Sequence, residues 1–284
     1  MNEEIMYIEK DACRLRYRRT GNGKIAIILL HGIGASLEIW NPLTRLLADD
    51  YLLYSLDLPG HGETRFDESY MKDFFGDNSP FIKAIDMLVE HESINMPIIM
   101  GNSMGGGIAI LYTSKRHSNM RSVILIDPLG MSRWIDIVHR ISTISFIAKK
   151  FTEKEPTRNE IVKSLKSLYY TRDPDEWLID ITYKYFMDKY NREWYFRLLR
   201  EGVNIRGVMI EKFIPLRTIF ENTKIPKLII WGEYDRLFRH EDGYQYSKKL
   251  KNCTFVTVEK AGHIPMVEYP EKTAEIIKNF IKSG

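Results

Sequence analysis

The chain has 284 residues, enough for one large domain or a core domain with an insertion, and its 44% hydrophobic content is ordinary for a globular protein. No apolar run approaches the roughly 20 residues that a bilayer crossing requires, and Met1-Asn2-Glu3-Glu4-Ile5 has neither the basic start nor the apolar stretch of a secretion signal. A net charge of +3 is too mild to argue for nucleic acid, and two cysteines, Cys13 and Cys253, make no disulfide framework.

Taken in order, the chain opens with Arg14, Arg16, Arg18 and Arg19 alternating with Cys13, Leu15 and Tyr17. This period-two pattern predicts a half-buried strand whose wet face is arginine. The first strands, joined near Gly21-Asn22-Gly23, are expected to form an antiparallel edge. Short apolar runs then recur without alternation: Ile25–Leu30, Leu52–Leu56, Ile98–Met100, Val123–Ile126, Leu228–Trp231 and Phe255–Val258. Such runs suit strands buried on both faces of a mostly parallel sheet. Helical patterns separate most of them: Leu43, Leu46 and Leu47 share a stripe, and Pro270 opens a final helix with Ala274, Ile277 and Ile281 on one side. The pattern is a doubly wound α/β fold.

One interval departs from it. About a hundred residues separate Pro128-Leu129-Gly130 from the strand at Leu228, far more than a crossover needs. The interval is rich in helix formers, as in Glu160–Tyr170 and Glu176–Leu199, and in aromatics that read mostly as its own packing. We expect a helical cap at 130–222 over the strand ends, between core segments 1–129 and 223–284. Over Met131–Arg217, 17 Lys+Arg stand against 12 Asp+Glu, and this excess of +5 hints at anionic substrates.

The chemistry concentrates at Gly101-Asn102-Ser103-Met104-Gly105, where the strand Ile98–Met100 runs into a helix. The glycines let strand and helix approach closely, and the sharp turn presents the serine oxygen. A serine hydroxyl needs a base to take its proton and an acid to orient that base. Downstream, Asp235 lies in the loop Gly232-Glu233-Tyr234-Asp235 after one strand, and His263 follows Ala261-Gly262 after the next. Asp127, at the end of Val123–Ile126, is the rival acid. Neither H-E-x-x-H nor paired cysteines occur, so no metal is expected, and this chemistry requires no cofactor.

With His31-Gly32-Ile33-Gly34 and Asp57-Leu58-Pro59-Gly60-His61-Gly62 in place after the earlier strands, five motifs stand in order, and the chain resembles an α/β-hydrolase over nearly its whole length. The resemblance implies Ser103 as nucleophile, His263 as base and Asp235 as acid. It also implies an oxyanion hole made by the backbone N–H groups of Ile33 and Met104, while His31, His61 and Asp57 brace their turns. Trp40, Met104, Leu237 and Ile264, adjoining the motifs, are expected to wall the acyl pocket. The implied activity is hydrolysis of a small carboxylic ester or related carbonyl compound, of esterase or lactonase type, through an acyl-enzyme. Gly-Asn-Ser-Met-Gly-Gly also resembles carbon–carbon bond hydrolases of ring-fission products, although Ile264 stands where many of those have tryptophan. A ligand-sensing protein of the same shape with little turnover is the third reading. The expected setting is cytoplasmic, with no nucleic-acid or membrane partner, as a monomer or homodimer.

Overall fold

The computed structural model describes residues 3–283. In chain order the strands are β1 (Glu3–Lys10), β2 (Cys13–Thr20), β3 (Ala26–Leu30), β4 (Leu52–Leu56), β5 (Arg65–Phe66), β6 (Ile98–Asn102), β7 (Ser122–Ile126), β8 (Val203–Asn204), β9 (Gly207–Val208), β10 (Lys227–Gly232) and β11 (Cys253–Val258). The helices are α1 (Asn41–Leu47), α2 (Pro80–His91), α3 (Met104–Arg116), α4 (Ile137–Ser142), α5 (Ser145–Glu153), α6 (Arg158–Lys166), α7 (Glu176–Met187), α8 (Lys189–Gly202), α9 (Ile210–Asn222), α10 (His240–Ser247), α11 (Pro265–Glu268) and α12 (Pro270–Ser283). Among them, no helix is long and apolar enough to cross a membrane.

The large sheet runs β1-β2-β4-β3-β6-β7-β10-β11, with β5 beside β2. β1, β2, β4 and β5 pair antiparallel through β2, and the pairs from β4–β3 to β10–β11 are parallel. The parallel strands β6, β7 and β10 are buried along their whole length, as their unbroken apolar runs require. One face of the sheet packs under α2, α3, α9 and α10, the other under α1, α11 and α12, which makes the fold doubly wound.

Two local expectations are corrected. The β1–β2 hairpin turns at Asp11 and Ala12, both at positive φ (50° and 56°), while Gly21-Asn22-Gly23 leads instead from β2 to β3. With no glycine, that two-residue turn carried no strong signal. Nor is the arginine face of β2 simply wet: Arg14 and Arg19 are exposed, but Arg16 and Arg18 are buried. Arg16 donates to Asp57 Oδ2 at 2.9 Å and to Glu38 Oε1 at 2.7 Å, two carboxylates brought to the sheet edge by the turn after β4 and by the turn Leu37–Trp40.

Between β7 and β10 the chain forms α4–α8, the β8–β9 hairpin and α9. The segment Glu176–Leu199 divides at Asp188, whose side chain caps Tyr190 N and starts α8. α6 starts with a capping box, Thr157 and Glu160 exchanging bonds. α9 lies against α3, with Phe213 and Phe220 buried. The insertion is tied to the core at α7, where Arg16 also donates to the Tyr185 hydroxyl at 2.7 Å.

Removing one member of a buried charge network strands the others. Arg16→Met is therefore expected to lower the unfolding free energy by about 3–5 kcal/mol in urea titrations. A loss indistinguishable from that of an exposed Arg14→Met control would contradict the assignment.

Candidate active site

Ser103 is the single residue between β6 and α3, and its backbone sits at φ 55°, ψ −119°. A side-chain-bearing residue there costs about 1–3 kcal/mol and persists only where its surroundings over-determine it. They do so here. Ser103 N donates to Ile126 O, and its carbonyl accepts from Leu129 N and Gly107 N. A Cβ on Gly101 would come within 2.1 Å of the Gly105 carbonyl oxygen, and one on Gly105 within 2.0 Å of the Leu30 oxygen. Strand, turn and helix close this tightly only with glycine at both places.

The turn after β3 is set by His31, whose Nδ1–H donates to Gly32 O at 2.7 Å while Nε2 accepts from Leu58 N at 3.0 Å. Gly32 lies directly against the serine: a Cβ placed on it would be 3.1 Å from Ser103 Cβ and 3.6 Å from Oγ. Ile33 follows on the cavity wall, and Met104 N opens α3. His31 and His61 therefore brace backbone, with ring centroids 5.1 Å apart.

Asp235 accepts at Oδ1 from Leu237 N and Phe238 N, and at Oδ2 from His263 Nδ1–H at 2.9 Å. Both side chains are removed from solvent. Asp127 is close by, one oxygen from each carboxyl lying within 4.8 Å of the other and of an imidazole nitrogen. The imidazole–Asp235 bond accounts for this grouping without an ion. Complete burial pushes the Asp127 carboxyl well up from its ordinary pKa, and the neighbouring Asp235 raises it further. Both effects favour the neutral form of the Asp127 carboxyl. Asp127 Oδ1 accepts from Gly232 N, which fixes the start of the Asp235 loop.

His263 Nε2 is buried with no hydrogen-bond partner, and Ser103 and His263 line one cavity of about 470 Å³. No hydrogen bond joins them, and such contacts commonly tighten only when substrate is bound. Leu237 and Ile264 also line the cavity. Trp40 does not: its side chain is fully buried in the core under α1. Met104 projects its side chain to the opposite side, into a small apolar pocket with Phe81, Ile108 and Phe213. Its place at the elbow thus concerns its backbone alone. A wider surface groove between Met71–Gly76 and α8 holds none of these residues.

Three contributions had no clear signature in the sequence. Asn102 donates from Nδ2 to Ile126 O and His263 O, both at 3.1 Å, joining the elbow to the histidine loop. Glu268 accepts from Gly262 N and Tyr170 N, and His263 N donates to Leu168 O, so the insertion helps to seat the imidazole. From the insertion Phe186, Phe196, Ile161 and Leu178 supply apolar wall, while Asp136, His139 and Arg192 supply polar groups.

The profile described as the Alpha/beta hydrolase family matches residues 27–276. Monoacylglycerol lipase ABHD6 of Homo sapiens is 27% identical over 294 residues, covering 99% of this chain and 82% of that protein. The uncharacterized hydrolase YugF of Bacillus subtilis is 24% identical, covering 96% of both. Among solved structures, carboxylesterase CesB of Bacillus subtilis superposes with a TM-score of 0.77 at 15% identity, covering 100% of this chain and 93% of that one. The meta-cleavage product hydrolase CumD of Pseudomonas fluorescens IP01 does so at 0.78 and 18% identity, covering 95% of each.

Burial lowers His31 to about 4 and, with His31 beside it, His61 to about 3, from an ordinary 6.5. Both rings are neutral in the fold, so their contribution to stability is full above about pH 6.5 and is lost as the pH falls through about 4 and then about 3. In an NMR titration, both ring signals are expected to hold their neutral positions down to about pH 5. Titration near the ordinary value would refute the tautomer assigned to the turn.

Proposed function

The chain belongs to the alpha/beta hydrolase family, and on that premise we propose that it is a serine hydrolase of carboxylic esters. The observation that carries this reading is the buried, unpartnered Nε2 of His263, on the same cavity as Ser103, in a ring whose other nitrogen is held by Asp235. In this reading His263 takes the Ser103 proton as Oγ attacks the ester carbonyl, and the backbone N–H groups of Ile33 and Met104 receive the oxyanion. The imidazolium then protonates the departing alkoxide, and water repeats the sequence on the acyl-enzyme. Asp127, whose burial favours the neutral form, fixes the Gly232 turn from which the Asp235 loop starts.

Residues 130–222 act as a cap, a reading supported by a cavity whose walls come from both the core and this segment. A volume near 470 Å³ and apolar walls suit an acyl chain. A relative aligned over nearly all of this chain is a monoacylglycerol lipase, and we take single-chain glycerol esters as the first substrates to test.

A second reading, carbon–carbon cleavage of carboxylate-bearing ring-fission products, has one observation in its favour. Arg192 is buried on the cavity wall and donates to the carbonyls of Thr152, Phe186 and Met187, with no carboxylate within ion-pair distance among the described residues. A buried cation without an acid partner suits a substrate carboxylate.

Ser103→Ala is expected to reduce kcat on p-nitrophenyl and monoacylglycerol esters by about 10⁴-fold or more with the thermal midpoint retained. Substantial turnover by that variant would end the proposal. With a ring-fission dienoate, Arg192→Met is expected to raise KM about tenfold or more if the second reading holds, but not with neutral esters.

A further inference from the structure

Large apolar side chains exposed on the core are scattered, as at Ile5, Met96 and Tyr244. On the insertion, several of them cluster. Trp134, Ile137, Val138, Ile141 and Phe146 are exposed within one short stretch, Val138 at 67% and Phe146 at 73%. Ile205, in the turn between β8 and β9, is exposed beside them, since β8 packs on α4 and Val208 N donates to Arg133 O. Ile137 and Ile141 are one helical turn apart on α4, and α5 packs against α4.

The charge around this face is predominantly positive. Over residues 133–152 there are four Lys+Arg and one Asp+Glu, and that acid, Asp136, is turned to His139, which it meets at 2.5 Å. Lys149, Lys150 and Arg206 are exposed, while Arg140 lies over the Trp134 ring at 4.6 Å. Opposing acids sit at the margin: Glu211 on Arg133 and Glu153 on Lys149. Solvent-facing aromatic and aliphatic groups flanked by cations match an interfacial helix pair better than a protein-binding groove. The same helices also wall the cavity, through Val138, His139, Ser142 and Phe151. The exposed face is therefore continuous with the cavity lining.

We propose that α4, α5 and the β8–β9 turn dock on the surface of anionic lipid bilayers, setting this side of the cavity against the membrane. The isoleucines and Phe146 enter the headgroup–acyl boundary, and Lys149, Lys150 and Arg206 meet lipid phosphates and carboxylates. A water-soluble ester gains nothing from such a surface. An ester dissolved in a bilayer reaches Ser103 without crossing water. The docking departs from the expectation of no membrane partner and stands apart from whether the chain turns over esters.

The test is co-sedimentation of the whole chain with phosphatidylcholine vesicles, with and without phosphatidylserine. Wild type and Ser103→Ala are both expected to bind the phosphatidylserine-containing vesicles, more weakly as salt rises. Ile137→Asp combined with Phe146→Asp is expected to weaken binding about a hundredfold, with the thermal midpoint and hydrolysis of a soluble p-nitrophenyl ester unchanged. Lys149→Glu combined with Lys150→Glu should lose about tenfold of the preference for phosphatidylserine. The proposal is overturned if wild type ignores both vesicles or if the Asp pair binds as wild type does. It is overturned equally if sedimentation shows a self-association that the Asp pair abolishes, which would give the face to a second copy. Vesicle binding without ester turnover would overturn the catalytic reading and leave the docking standing.

Discussion

The backbone at Ser103 is held in a left-handed conformation by contacts on every side: Ile126 O accepts its N–H, Leu129 N and Gly107 N bind its carbonyl, and Leu30 and Gly105 meet with no room for a side chain. These contacts come from β3, β7 and α3, so the strain at one residue is borne by the centre of the sheet. The arrangement fixes where the hydroxyl stands before any substrate arrives. It also places the Gly32–Ile33 turn against that hydroxyl, because β3 is the strand paired beside β6.

The imidazole is positioned from more directions than the carboxylate alone. Asn102 holds the His263 carbonyl, Leu168 accepts its N–H, Glu268 binds the preceding amide and Phe238 meets the ring edge-on at 5.2 Å. The paired acids Asp127 and Asp235 divide their duties by environment. Asp235 gains two backbone donors and the imidazole, whereas Asp127 gains one backbone donor and otherwise stays dry, which favours its neutral form.

Much of this was legible in the sequence because the signals are short-range. Unbroken apolar runs mark strands buried on both faces, and a glycine-flanked serine marks an elbow, whatever lies elsewhere in the chain. What was not legible depends on direction. Trp40 adjoins the motifs in sequence, but the turn Leu37–Trp40 sends its ring into the core. Met104 is next to the nucleophile, yet a helical start points consecutive side chains to different faces. The arginines of β2 alternate as a wet face would, and only the arrival of Glu38 and Asp57 from two separate turns buries Arg16. Arg192 is one of many cations in its segment, and nothing local marks it as the one that is buried on the cavity wall.

The attachments of the insertion are uneven. At α7 and α8, Tyr185 shares the buried Arg16 guanidinium, Asp188 pairs with Arg65, and Asn191 donates to Gly62 O. At the far side, α4 and α5 rest on β8 and α8, within the insertion itself. Separating the first pair of helices from the core means breaking into a buried guanidinium network, while displacing the second pair mainly rearranges contacts within the insertion. The α7–α8 side thus carries the polar attachment to the core, while the α4–α5 flank, which also walls the cavity, is anchored within the insertion.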